Sequence, residues 1–210
     1  MKRVLFLILI VVAGCDTRTD FFAFDCTVYN QRLNQPVADA TVRMYVQPAG
    51  NGFTTNYELA GTVNTDATGK FYLEIDKDVF QSYRVDITHP NHFSKSFFIS
   101  PDDVPFSSVY EQTFVVEPKA WVATRLVNQN FSSSATFSVE ADNGNCAECC
   151  AGDNTTVQGF SVDSTFVCPV VGEQEVTVSG NYVDMNATVI QILETAYVQA
   201  FDTTTVTVIY

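Results

Sequence analysis

Histidine is scarce in this chain, and so is positive charge. Of 210 residues only two are His, one is Trp and three are Met. Eleven Lys and Arg stand against 24 Asp and Glu. Such a shortage of cations disfavours binding to nucleic acid, which needs basic patches facing phosphate. It equally disfavours lying flat on an anionic membrane. Catalytic signatures are missing too: no H-E-x-x-H, G-x-S-x-G or P-loop pattern occurs. No D-x-D-x-D-G loop marks a calcium site. The two histidines, His89 and His92, fall together in H-P-N-H, where Pro90 marks a turn. They read as a solvated loop between strands. Ser132-Ser133-Ser134 has no base beside it in the sequence. These gaps lead to the expectation of a non-enzyme that carries no cofactor.

Long apolar runs are absent as well. The longest, Val4 to Val12, falls far short of the ~20 residues a membrane-spanning helix needs. With Met1-Lys2-Arg3 ahead of it and small residues behind, it fits a cleaved secretory signal. The plainer version is an ordinary signal peptide with an incidental cysteine. Val12-Ala13-Gly14-Cys15, however, resembles the lipobox of bacterial lipoproteins. That resemblance implies removal of residues 1–14 and lipidation of Cys15, with palmitate among the acyl groups. It places the chain in the bacterial cell envelope, with the outer membrane as the expected location. One acyl chain holds only marginally, whereas two or three hold almost permanently. Residues 15–20 then form the lipidated tether. Asp16 to Asp20 spans roughly 17 Å when fully extended, so the first folded body should sit close to the membrane. Lys2 and Arg3 leave with the signal. Nine basic residues then face 24 acidic ones, a net charge of −15. The acidity reads as solubility and self-repulsion at a crowded surface.

Helical periodicity is also rare. Thr, Val, Phe and Tyr alternate with polar residues, and turn residues recur every ten or so positions. This predicts an all-β chain of two tandem antiparallel β-sandwiches. The first should span 21–118. In FFAFDCTVYN, Phe22, Phe24, Cys26 and Val28 share one face. TVRMYV, KFYLEID, SYRVDIT, HFSKSFFIS and VYEQTFVVE supply further strands. Cys26, on the apolar face, reads as a buried free thiol. Pro36-Val37-Ala38-Asp39-Ala40-Thr41-Val42 is a turn leading into a strand. Thr65-Asp66-Ala67-Thr68-Gly69-Lys70-Phe71 reads as a hairpin turn with Gly69 at positive φ. Together these two stretches resemble the carboxypeptidase regulatory-like domains, small transthyretin-like sandwiches. The likeness covers about Cys26 to Ile99. It departs at Asn91-His92-Phe93, where the family has Gly-Tyr, and lacks the family's glycine at the first strand. The resemblance implies a non-catalytic module. The C-terminal Tyr-Arg-Gly-Ser ending of transthyretin-like hydrolases is missing.

The second body should span 119–210 as a sandwich of unassigned family. Its expected strands are Trp121 to Val127, ATFSVEA, VQGFSV, EQEVTVSG, TVIQIL, TAYVQAF and TTTVTVIY. It holds Cys146, Cys149, Cys150 and Cys168, the first three in Asn145-Cys146-Ala147-Glu148-Cys149-Cys150-Ala151-Gly152. After export, disulfides are expected. Neighbours such as Cys149 and Cys150 rarely bridge, so at least one bond should reach Cys168 and stabilise by roughly 3 kcal/mol. The rival reading is zinc on the same four thiolates, although the spacing lacks a good second knuckle.

The expected function is therefore a membrane-anchored envelope lipoprotein acting as an interaction or spacer module. Its partners would be the membrane, through Cys15, and another envelope protein or a glycan. The alternative is a surface receptor that binds carbohydrate or protein through sandwich-end loops. A hydrolase would need His89 or His92 close to a carboxylate and a nucleophile.

Overall fold

A computed structural model describes residues 21–49, 56–106, 108–130, 132, 134–144, 146–150, 152 and 155–210. The signal segment, the tether and Cys15 lie outside the described residues. The chain is all-β, built of two sandwiches, and no α-helix occurs among the described residues.

Strand β1 (Phe21–Asn30) alternates as its sequence requires, with Phe22, Phe24, Cys26 and Val28 all buried on one face. It pairs antiparallel with β2 (Gln35–Pro36) and β5 (Lys70–Asp76), and parallel with the short β8 (Thr113–Val115). The facing sheet runs β4-β3-β6-β7, from β3 (Thr41–Pro48), β4 (Glu58–Asn64), β6 (Phe80–His89) and β7 (His92–Ile99). Phe24, Val28, Val42, Met44, Tyr83, Val85, Ile87 and Phe114 fill the space between. Fully burying one such side chain contributes about 2 kcal/mol.

The turn at Asp66 differs from a simple hairpin. Locally it is tight: Asp66 Oδ1 accepts from the N–H groups of Thr68 and Lys70, and Gly69 sits at φ 72°. These hydrogen bonds, led by that of the Thr68 hydroxyl, hold the Asp66 carboxyl below its usual range. Yet β4 and β5 belong to opposite sheets, so the turn arches across the sandwich. Buried Thr65 diverts the chain: its Oγ1 donates to the Val37 carbonyl and accepts the Ala40 N–H. Strand β4 was not anticipated, because ELAGTVN buries no residue fully and shows no clean alternation. Of VYEQTFVVE only three residues form regular strand.

In the second sandwich, β9 (Lys119–Val127) lies between β12 (Asp163–Val171) and β15 (Thr203–Ile209), the latter in parallel. The opposing sheet runs β11-β10-β13-β14, from β10 (Ser134–Glu140), β11 (Thr155–Gln158), β13 (Gln174–Val183) and β14 (Val189–Val198). Val122, Leu126, Phe137, Val170, Val176, Val178, Val198, Val208 and Tyr210 form its core. TVIQIL and TAYVQAF, expected as two strands, are one continuous β14 in full register with β13. VQGFSV stops at Gln158, since Gly159 leaves the strand at φ 125°. Strand β12 was missed because Pro169 and Cys168 interrupt its pattern.

Candidate functional site

The two sandwiches meet at Glu117-Pro118-Lys119, a connection clamped on both sides. On the first sandwich, Phe93 N–H donates to Glu117 O, and Lys119 N–H donates to Asn91 O. On the second, Gly172 N–H donates to Pro118 O and Phe201 N–H to Lys119 O. Pro118, with no N–H of its own, leaves no donor unsatisfied. The junction therefore behaves as a strand-like seam.

His92 sits at its centre and is only 4 % exposed. This corrects the reading of H-P-N-H as a solvated loop. Pro90 and Asn91 do form a turn, but His92 bridges to Pro118 and packs edge-on against Phe201, ring centroids 5.4 Å apart. Its two ring nitrogens are both taken: Nε2 by Asn30 Nδ2 at 3.0 Å and Nδ1 by His89 Nδ1 at 2.9 Å. The proton positions follow by elimination. Asn30 Oδ1 already accepts from Leu33 N–H, so its Nδ2 must donate to His92 Nε2. Asn91 N–H donates to His89 Nδ1, so His92 Nδ1 must carry hydrogen. His92 is thus neutral. Burial, aided by His89 and Lys119, depresses its pKa to about 4. Burial also lowers that of His89, against the opposing pull of Asp39. With both nitrogens occupied, His92 has none free to take a substrate proton.

Arg32, in the turn after β1, spans the seam. Its Nε lies 3.0 Å from Glu117 Oε2 and its Nη2 3.6 Å from Asp142 Oδ2. Lys119 Nζ lies 3.2 Å from Glu148. The cysteine-rich loop is therefore a buttress of the junction. Cys146 bonds Cys149, and Cys150 bonds Cys168 on β12. All four sulfurs are spent in disulfides, which leaves no thiolate for the zinc alternative. Among the described residues no cluster of three or more His, Cys, Asp or Glu is placed to hold a metal. Asn143 Oδ1 accepts from Val171 N–H, and Gln174 ties Asp142 N–H to Val171 O. Asn145 and Ala151 lie outside the described residues.

A cleft of about 530 Å³ opens along this seam, bounded by Arg32, Lys95, Ser96, Glu117, Asp142 and Asn143. Its charges are mixed, and Arg32 is already engaged by two carboxylates. Cys26, which does not line the cleft, is free and buried, and burial pushes its thiol up to about 11. Ser132 Oγ is held between the carbonyls of Ser134 and Val183; Ser133 lies outside the described residues. Among the described residues, neither histidine is hydrogen-bonded to a nucleophile or a carboxylate.

No family model matches this chain, and a comparison with curated proteins found no match. Among solved structures, a streptococcal ancillary pilin is 14 % identical with a TM-score of 0.37, over 92 % of this chain and 63 % of the pilin. The shaft pilin of Lactobacillus rhamnosus GG is 10 % identical with a TM-score of 0.35, over 90 % of this chain and 97 % of the pilin. A 9R-lipoxygenase from Cyanothece is 17 % identical with a TM-score of 0.33, over 46 % of this chain; the chain spans 16 % of that enzyme. Likeness of that degree carries no conclusion about this chain.

Proposed function

We propose that the chain is a non-catalytic spacer and interaction module of the bacterial cell envelope, held to the outer membrane by lipid on Cys15. Residues 1–14 act as the signal peptide and 15–20 as the tether. Residues 21–118 form a carboxypeptidase regulatory-like sandwich, and 119–210 a second sandwich that meets another envelope protein or a glycan.

The observation that carries the reading is the clamped seam. Flexible tethers between modules are rich in Gly and Ser and unpaired in backbone. Here the connection is three residues long and hydrogen-bonded to both bodies. The chain enters the first sandwich at Phe21, and β1 ends at Asn30 beside His92 in the seam. Ten strand residues separate the two points by roughly 30 Å. The second sandwich is thus held away from the entry end.

A receptor role has one observation in its favour. Phe160 and Met185, 63 % and 77 % exposed, lie in loops at the end of the second sandwich remote from the seam. They offer an apolar contact to a protein or a sugar face.

Spin labels on Asp78→Cys and Met185→Cys test the spacer. Pulsed electron resonance should give one narrow distance distribution. A broad distribution spanning many ångströms would show two independently moving bodies and refute the reading.

A further inference from the structure

The entry end of the first sandwich carries an apolar patch that the core does not use. Phe106 is 75 % exposed, Val79 70 % and Val109 42 %. All three stand near the first residues of β1. Phe21 pairs with Asp76, and Lys77, Asp78 and Val79 follow directly. The Phe106 ring meets Phe22 edge-on at 6.1 Å, and Lys77 Nζ stands over both rings, 4.4 Å from the centroid of Phe106. Val109 precedes Tyr110, whose N–H donates to Ala23 O.

We propose that this patch rests on the lipid surface, with Phe106, Val79 and Val109 in the headgroup region. The proposal builds on the reading of Cys15 as the anchor. Only Asp16 to Asp20 lie between that anchor and Phe21, so the start of β1 stands within roughly 20 Å of the acylated cysteine. A body tied so closely meets the bilayer whether or not it is shaped for it. Exposed aromatic and aliphatic side chains gain there by leaving water. The opposite end of the same sandwich is closed by the seam.

Charge selects the kind of surface. Lys77 is accompanied at this end by Asp76, Asp78, Asp102 and Asp103. Anionic lipid would be repelled by this excess of carboxylates. The fitting partner is a zwitterionic leaflet, entered shallowly by the apolar side chains.

The test couples the mature chain, through the Cys15 thiol, to maleimide-bearing lipid in phosphatidylcholine vesicles with brominated acyl chains. Two variants are compared, Phe106→Trp at the patch and Met185→Trp at the remote end. Emission of the Phe106→Trp variant should fall about twofold, since interfacial side chains reach the top of the acyl region. The Met185→Trp variant and the parent, whose Trp121 lies beyond the seam, should keep theirs. Quenching at position 106 no greater than at position 185 overturns the proposal. So does quenching that grows when phosphatidylglycerol replaces the zwitterionic lipid. Coupling is chemical, so the outcome does not depend on whether cells acylate Cys15. Failure of the anchor would appear in the mass of the native protein.

Discussion

Arg32 Nε lies 3.0 Å from Glu117 Oε2, although 85 positions separate the two residues. One stands just after the first strand of the first sandwich. The other opens the three-residue connection to the second. The side chains are 27 % and 33 % exposed, so the pair adds little stability; it ties the turn after β1 to the start of the connection.

Arg32→Ala should therefore separate stability from geometry. The urea midpoint should report a loss of about 1 kcal/mol or less, the range of partly exposed ion pairs. The distance distribution between labels on Asp78→Cys and Met185→Cys should broaden. An unchanged distribution would mean that the backbone clamp alone holds the seam.

His92 should make stability fall on mild acidification. Its folded pKa is depressed to about 4 from an ordinary 6.5. The unfolded chain therefore binds more protons between those values, and stability is lost as pH falls from about 6.5 to 4. The full effect is on the order of 3 kcal/mol. Carboxyls of lowered pKa, Asp66, Asp163 and Glu173, lose their contribution only below this window or at its lower edge. Urea titrations at pH 7 and pH 4.5 check the effect. The decrease should shrink in His92→Gln; an equal decrease in wild type and variant would place its origin elsewhere.

Thiol reactivity should reveal how the cysteines are used. Of six, four are in disulfides, one is expected to carry lipid, and Cys26 is buried with its pKa near 11. Only thiolate reacts readily. The folded native protein should show no rapid reaction with a maleimide. Unfolding in urea without reductant should expose one thiol, mapped to Cys26. Rapid labelling of Cys146 or Cys149 in the folded state would contradict the pairing.

The two disulfides should differ in weight. Cys150 and Cys168 stand 18 positions apart, Cys146 and Cys149 only three. On the chain-entropy account the longer loop contributes about 3 kcal/mol and the shorter distinctly less. Thermal unfolding of Cys150→Ser/Cys168→Ser and of Cys146→Ser/Cys149→Ser measures both. Equal losses would argue against that ranking.

Fold class could be read from alternation, because a half-buried strand must alternate. Phe22, Phe24, Cys26 and Val28 state their face directly. Alternation does not show where strands join or which sheet they enter. Thr188 to Val198 looked like two strands because exposed Leu193, Glu194 and Thr195 dilute its pattern. The arch at Thr65 depends on contacts with Val37 and Ala40, more than twenty residues away. The seam was illegible for the same reason. His92 looked like any loop histidine, since Asn30 and Phe201, which bury it, are remote in sequence. Glu148 and Asp142, too, look like ordinary surface acids until Lys119 and Arg32 are brought beside them.

The proposal rests on lipid on Cys15 holding this pair of sandwiches at a membrane. The most direct measurement is the mass of the N-terminal peptide of protein extracted from its native envelope. The account predicts loss of residues 1–14 and a Cys15 bearing a diacylglyceryl thioether with an acylated amine. A retained signal segment, or a Cys15 without lipid, would contradict it.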